Sequence, residues 1–398
     1  MQEHFQHLFE MLSKVEGYIY PNEIELHWGI LIVLYPYITG LVAGAFILAS
    51  LERVFKVNVL KPTYEIALLT ALAFLLVAAL PLASHLTKPF RAYMIMITPN
   101  PKSAMAVFGF VYLWYLMVVL LLEIWFDYRH SLVIWSKEKT GIMKWVYRIL
   151  TLGVTDLSPR TLKWDRKLGY FITVIGIPSA FLLHGYVGFI FGSIKANPWW
   201  SSVLMPVIFL FSAMVSGIAL VMLIYIVISY IRKQPIMMDA LDKIAKFLFY
   251  VLILDFSLEA LDQIQRIYEA EESFEIISLL VSGKLNITLI VIQVIFGTLI
   301  PLISLAVLQL YKPKILIRKI IYIISGSLVL VGIFFMRWNV VIGGQLFSKS
   351  FYGFTSFKLG LIGSEGSLMA VVWIIIPLLI LTFLLWLLPP WKMQHEEL

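Results

Sequence analysis

The chain has 398 residues, 61% of them hydrophobic and 14% charged, with a mean hydropathy of +0.90. No soluble domain needs so apolar a composition to fill a core, and the formal charge of +7 belongs to basic loops on one membrane face, not to a nucleic-acid surface. The sequence contains no cysteine, which excludes a cysteine-held iron–sulfur cluster, a disulfide and thiolate catalysis within this chain, so any such redox centre has to belong to a partner.

Taken in order, residues 1–26 carry Glu3, Glu10, Lys14, Glu16 and Glu23 with no basic stretch leading into a short apolar run. This is unlike a cleavable signal, and the first span is expected to direct insertion. Phe5, Leu8, Phe9, Leu12 and Val15 recur among these charges at helical spacing, which predicts a short interfacial helix over 3–19. Apolar runs long enough for a hydrocarbon core of ~30 Å then occur at about 28–51, 65–86, 105–126, 168–192, 202–230, 245–265, 286–310, 319–339 and 368–388, predicting nine helices. In the long loop 127–167 the piece Ile142–Val154 is too short and too basic to cross and is expected to lie along the surface. Loop 340–367, rich in glycine, serine and aromatics, is expected to fold as a cap.

The fold expected is an all-α polytopic membrane protein: two four-helix bundles plus one additional C-terminal transmembrane helix. The divisions are an N-terminal outer interfacial segment (1–26), a first four-helix bundle (27–192) that includes the cytoplasmic loop 127–167, a second bundle (193–339), and the cap loop, ninth span and tail (340–398). Small residues four apart favour close helix approach. Trp28, Pro36, Gly40 and Gly44 open the first half much as Trp200, Pro206, Ser212 and Gly217 open the second, which fits either a duplicated unit or ordinary membrane packing. Alternate loops differ about twofold in lysine and arginine. By the positive-inside rule the N-terminus is outside and the C-terminus cytoplasmic, in a multi-pass protein of the cell membrane.

Several polar residues fall at similar depth near the outer side: Tyr35 in the first span, His85 ending the second, His184 and Tyr186 in the fourth, and Arg337 and Asn339 ending the eighth. A quinone head presents two carbonyls that need donors inside an apolar pocket. Histidine and tyrosine supply such donors and pass protons, with ordinary packing as the alternative for each. The sixth span is unusual, because Asp255, Glu259, Asp262 and Arg266 are spaced to share one helical face. That face has to be paired, protonated or wet, so it is either a proton route or an internal salt-bridge network to Arg266 or Arg337. Glu123, with Asp127 and Glu52, would extend a route toward the cytoplasm. His85 and His184 are the same-side pair a haem would need, and the reading is that no haem, metal or iron–sulfur cluster is held here. Lys88, Arg91 and Lys102 in the outer 87–104 loop offer an electrostatic docking surface for a partner.

The stretches HWGILIVLYPYITGLVAGAF at 27–46, HLTKPFRAY at 85–93 followed by ITPNPKSAM, HGYVGFIFG at 184–192, WWSSVLMPVIFLFSAMVSG at 199–217 and MRWNVVIGGQ at 336–345 give the chain its resemblance to the NrfD/PsrC-type membrane subunits of polysulfide reductases. The resemblance implies two four-helix bundles with no cofactor of their own, an exchangeable quinone or menaquinone bound near the outer face, and a docked iron–sulfur subunit, often with a molybdopterin catalytic subunit. By resemblance, Tyr186 matches the quinone-site tyrosine. His184 resembles a histidine of the hydrogenase-anchor and alternative-complex-III branch, and Tyr35 stands where polysulfide reductase has a quinone-binding histidine. Arg337, the Ser364-Glu365-Gly366 run and the ninth helix resemble that longer branch, whose additional N-terminal helix has no counterpart here. The function this implies is electron exchange between membrane quinone and an iron–sulfur partner, to which the acidic face of the sixth span would add proton transfer if it is a proton route. The alternatives are an anchor of a hydrogenase or alternative-complex-III-type enzyme, and a stand-alone transporter or ion channel.

Overall fold

The computed structural model describes residues 12–13, 15–86, 88–98, 100–269, 273–363 and 365–393. Among these, nine long helices make up the body: α1 (Ile30–Arg53), α2 (Lys61–Ala78, continued by Leu80–His85), α3 (Ala104–Leu113, π-helical turns over Trp114–Leu120, then Leu121–Glu138), α4 (Pro159–Gly192), α5 (Met205–Ile231), α6 (Met238–Glu269), α7 (π-helical over Asn286–Leu299, then Ile300–Leu310), α8 (Ile315–Val341) and α9 (Ser367–Leu387). Eight of them are long and apolar enough to cross a membrane. The other, α6, has 32 residues and falls outside that class through its charges. The chain is an all-α polytopic membrane protein. Its long leucine, isoleucine, valine and phenylalanine runs adopt helices because only internal hydrogen bonding satisfies the backbone where there is no water.

Helix α1 is the centre of the body, buried at every residue from Ile30 to Ser50. It packs against α2, α4, α5, α8 and α9, while α5 packs against α4, α6 and α8; α3 joins α2 to α4, and α7 joins α6 to α8. The α1–α5 crossing is close because both helices present glycine: a Cβ on Gly44 would meet the Ala213 carbonyl and lie 2.8 Å from the Gly217 Cα. A second glycine pair, Gly297 and Gly332, plays the same part between α7 and α8.

At one end of the body, here the cap end, the segment before α1 is stitched to the loop after α8. Gln345 accepts from the Trp28 amide at 3.1 Å and donates back to the Trp28 carbonyl at 3.0 Å. Glu16–Gly17 pairs antiparallel with Gly353–Phe354. The interfacial helix expected over 3–19 lies mostly outside the described residues, and where Glu16 and Gly17 are described the chain is extended, held by that pairing. At the opposite end, the short helix Gly141–Leu150 turns Ile142, Trp145 and Ile149 outward while the Tyr147 hydroxyl donates to the Leu387 carbonyl at 3.0 Å. Helix α4 is capped by Ser158. Just before it, Asp156 accepts from the Thr161 hydroxyl and from Ser158, which holds its carboxyl below the usual carboxylate range.

Candidate functional site

Tyr35 sits one turn and a half into α1, only 3% exposed, its ring edge-on to Phe108 at 5.3 Å. Its hydroxyl is buried with no hydrogen-bond partner among the described residues, a state that a phenol leaves when a polar ligand arrives. Tyr186 on α4 is near enough for the two hydroxyls to interact electrostatically. At the same end His85 closes α2 and pairs through Nδ1 with the Glu365 carboxylate. The other Glu365 oxygen lies against Gly29, where a Cβ would collide with it. The cap loop, the end of α2 and the start of α1 therefore meet above Tyr35.

His184 has its own set of partners. It is fully buried, its ring stacked on Phe209 at 5.9 Å, in space left by Gly40, where a Cβ would stand 3.1 Å from the His184 Cε1. Its Nε2 is 3.0 Å from the Arg337 Nη2. A guanidinium has only donors, so Nε2 accepts and the imidazole is neutral with its proton on Nδ1, an atom that is buried and unpartnered. Arg337, also fully buried, donates to the Ser212 hydroxyl at 2.6 Å and to the Phe209 carbonyl at 3.3 Å, and lies over the Phe209 ring at 3.9 Å. Among the described residues no carboxylate comes within ion-pair distance of Arg337.

The α6 stripe divides in two. Asp262, near the cap end, accepts from the Arg266 Nε at 3.0 Å and from the Ser202 hydroxyl, while Arg266 also donates to the Pro198 and Trp199 carbonyls. Asp255 is 3% exposed with Oδ1 unpartnered. Glu259 accepts from Gln293 Nε2 at 3.1 Å, and Gln293 accepts from Asn339 Nδ2 at 2.8 Å. Both Asp255 and Glu259 interact electrostatically with Arg337. Glu259, Asp262, Gln263, Gln293 and Asn339 line a cavity of about 370 Å³ whose remaining walls are apolar.

Glu123 belongs to another cluster, toward the opposite end. It accepts from Thr173 at 2.6 Å and from Tyr64 at 3.1 Å, with Arg53 at 3.9 Å. Tyr64 shares that one hydroxyl proton with Asp127, the nearer acceptor at 2.7 Å, which is ion-paired with Arg53. Arg53, Tyr64 and Asp127 line a cavity of about 310 Å³ together with Glu52, Lys61 and Glu65. Lys88, Arg91 and Lys102 are exposed at the cap end, and so is Phe90 between them. The sequence reading gave Glu365 no partner and missed Gln293 and the Arg53–Tyr64 pair. Gln293 alone carried a signal, as an amide inside an apolar span.

Residues 21–349 match the family described as polysulphide reductase, NrfD. The chain is 34% identical over 203 residues to a selenate reductase subunit of Mesobacillus selenatarsenatis, covering 50% of this chain and 47% of that protein. It is 28% identical over 202 residues to a putative dimethyl sulfoxide reductase membrane subunit of Halobacterium salinarum, covering 50% and 43%. It is 27% identical over 208 residues to protein NrfD of Escherichia coli, covering 50% and 59%. The matches span about half the length of these curated relatives. With the family match running from the segment before α1 to the loop after α8, the chain belongs to the NrfD family.

Proposed function

We propose that the chain is the membrane subunit of a respiratory oxidoreductase, exchanging electrons between membrane quinone and an iron–sulfur subunit docked at the cap end, with a molybdopterin catalytic subunit beyond it. Membership of the NrfD family supports this, as do the names of relatives that are reductase subunits. The observation that carries the quinone assignment is the Tyr35 hydroxyl, buried and unpartnered beside Tyr186 and beneath His85. Tyr35 and Tyr186 would donate to the head carbonyls, and His85 with Glu365 would hold a proton at the cap-end entrance. The bound quinone supplies the two-electron chemistry; these side chains orient it and keep water from it.

In this reading the cap end faces outward and the C-terminal end the cytoplasm. Lys88, Arg91 and Lys102, with the exposed Phe90, receive the partner. Asp255, Glu259 and Asp262 on one side and Glu123 on the other handle protons. The test uses the purified native complex. Tyr35→Phe and Tyr186→Phe should each lower quinone-dependent turnover by one to two orders of magnitude, roughly the worth of a lost donor, with dye-dependent turnover of the soluble subunits intact. Wild-type quinone turnover in both variants would place the site elsewhere.

A further inference from the structure

The cavity of about 370 Å³ among α5, α6, α7 and α8 is separate from the Tyr35 group. Its walls are Phe256, Ile290, Val294 and Met336, and Ile267 and Ile290 face outward at its rim, so a membrane-soluble molecule reaches it from the lipid. Its polar lining is Glu259, Asp262, Gln263, Gln293 and Asn339, of which Asn339 stands at the end of a hydrogen-bonded row. Asn339 is 1% exposed, with its backbone carbonyl held by Trp199 Nε1 at 2.9 Å, and its side-chain Oδ1 is buried without a partner. A buried amide oxygen left unpaired on the wall of an apolar cavity is a place for a ligand's hydroxyl.

The amide orientation is set from further along. Glu259 accepts from Gln293, Gln293 accepts from Asn339, and among the described residues the Asn339 oxygen is left without a partner. A charged carboxylate can only accept, so it fixes both amides in this sense. A protonated Glu259 can donate to the Gln293 oxygen. Both amides then turn over together, and Asn339 presents its NH₂ to the cavity. The charged groups around Glu259 are Asp255, Asp262 and Arg266 on its own helix and Arg337 from α8; α7 contributes only the neutral Gln293.

We propose that this cavity is a second site for a lipid-soluble quinone or quinol, whose head meets Asn339 through a two-amide relay that reads the protonation of Glu259. A quinol hydroxyl needs the acceptor that charged Glu259 exposes; a quinone carbonyl needs the donor that protonated Glu259 exposes. Binding of the oxidised head is thereby linked to proton uptake at Glu259, and binding of the reduced head to proton release. The inference rests on the reading that the chain handles quinone, and adds a place and a rule of selection to it.

The probe is a photoreactive azido-naphthoquinone, used oxidised or anaerobically reduced on the purified full chain in phosphatidylcholine nanodiscs, with labelled peptides located by mass spectrometry. Label should appear in α6, α7 and α8 peptides that line the cavity and be displaced by excess 2-methyl-1,4-naphthoquinone. Val294→Trp, which fills the cavity without touching the relay, and Asn339→Leu should each lower this labelling about tenfold or more. The preference for the oxidised over the reduced probe should rise as pH falls in the wild type and become flat in Glu259→Gln. Label confined to α1 and α4 peptides, or a retained phospholipid in place of the probe, overturns the second site and leaves the Tyr35 reading standing. Label nowhere overturns both, and a flat wild-type pH dependence overturns the relay.

Discussion

The Nη2 of Arg337 lies 3.0 Å from the Nε2 of His184, so a cation contributed by α8 ends on a neutral imidazole contributed by α4. No carboxylate among the described residues pairs with Arg337 directly; Asp255 and Glu259 on α6 are the acidic groups within electrostatic reach of it. The guanidinium therefore connects an imidazole beside α1 with the acidic stripe of α6.

Removing it should leave the His184 Nε2, the Ser212 hydroxyl and the Phe209 carbonyl without a buried donor and take a cation away from Asp255 and Glu259. Arg337→Met is expected to cost about 3–5 kcal/mol of stability, and adding Asp255→Asn should restore part of the loss, because the charge left behind is removed as well. A double-substitution cycle in nanodiscs, read by chemical denaturation, measures the coupling. Losses that simply add would show that Arg337 and Asp255 act independently.

The acidic stripe gives a second prediction. The Asp255 Oδ1 has no partner, so Asp255→Asn removes charge without breaking a hydrogen bond at that atom, and Glu259→Gln keeps a group able to meet Gln293. Both complexes should assemble at wild-type yield and bind quinone at the Tyr35 group unchanged. Proton uptake or release coupled to turnover should be lost in proteoliposomes carrying a trapped pH dye. Unchanged proton movement in both variants would end the proton-route reading.

The contact between His85 and Glu365 ties the cap loop to α2. Both side chains are partly exposed, at 23% and 38%, so their interaction is screened and modest, on the order of 1 kcal/mol. Glu365→Ala should loosen the loop and speed tryptic cleavage at the exposed Lys358 about fivefold. Cleavage at the wild-type rate would mean that the loop is held by the Trp28–Gln345 bonds and the Glu16–Phe354 strand pairing without help from His85.

The spans were legible because in a membrane each must be an uninterrupted apolar run, and a helix is the single-segment answer to backbone hydrogen bonding there. The α6 face was legible for the complementary reason, that charge in such a run cannot face lipid. Partners were much harder to read. Spacing along one helix places Asp255, Glu259 and Asp262 together and offers Arg266 as a partner, but does not say that Asp262 would also turn to Ser202, or Glu259 to Gln293. His184 and Tyr186 are two residues apart, so on a helix they point in different directions. The former meets Arg337, while the latter stacks on Phe189 and lies within electrostatic reach of Tyr35, a division that follows from helical geometry. Glu365 lies in an irregular loop, where no periodicity announces its direction.

Glycine placement allows the most local test. A Cβ on Gly44 would meet only backbone, the Ala213 carbonyl and the Gly217 Cα at 2.8 Å, and backbone atoms cannot rotate aside. Gly44→Ala must push α1 from α5 at the crossing of the two central helices and should cost about 1–3 kcal/mol. Gly185, on α4, differs: its nearest neighbour is the Pro206 carbonyl at 3.9 Å, ordinary contact. Gly185→Ala should therefore gain the roughly 0.5–1 kcal/mol by which alanine exceeds glycine within a helix. The chain's 12 tryptophans give an intrinsic fluorescence melt in detergent, in which Gly44→Ala should unfold below the wild type and Gly185→Ala at or above it. A Gly44→Ala protein melting with the wild type would show that the α1–α5 crossing is looser than the glycine pair implies.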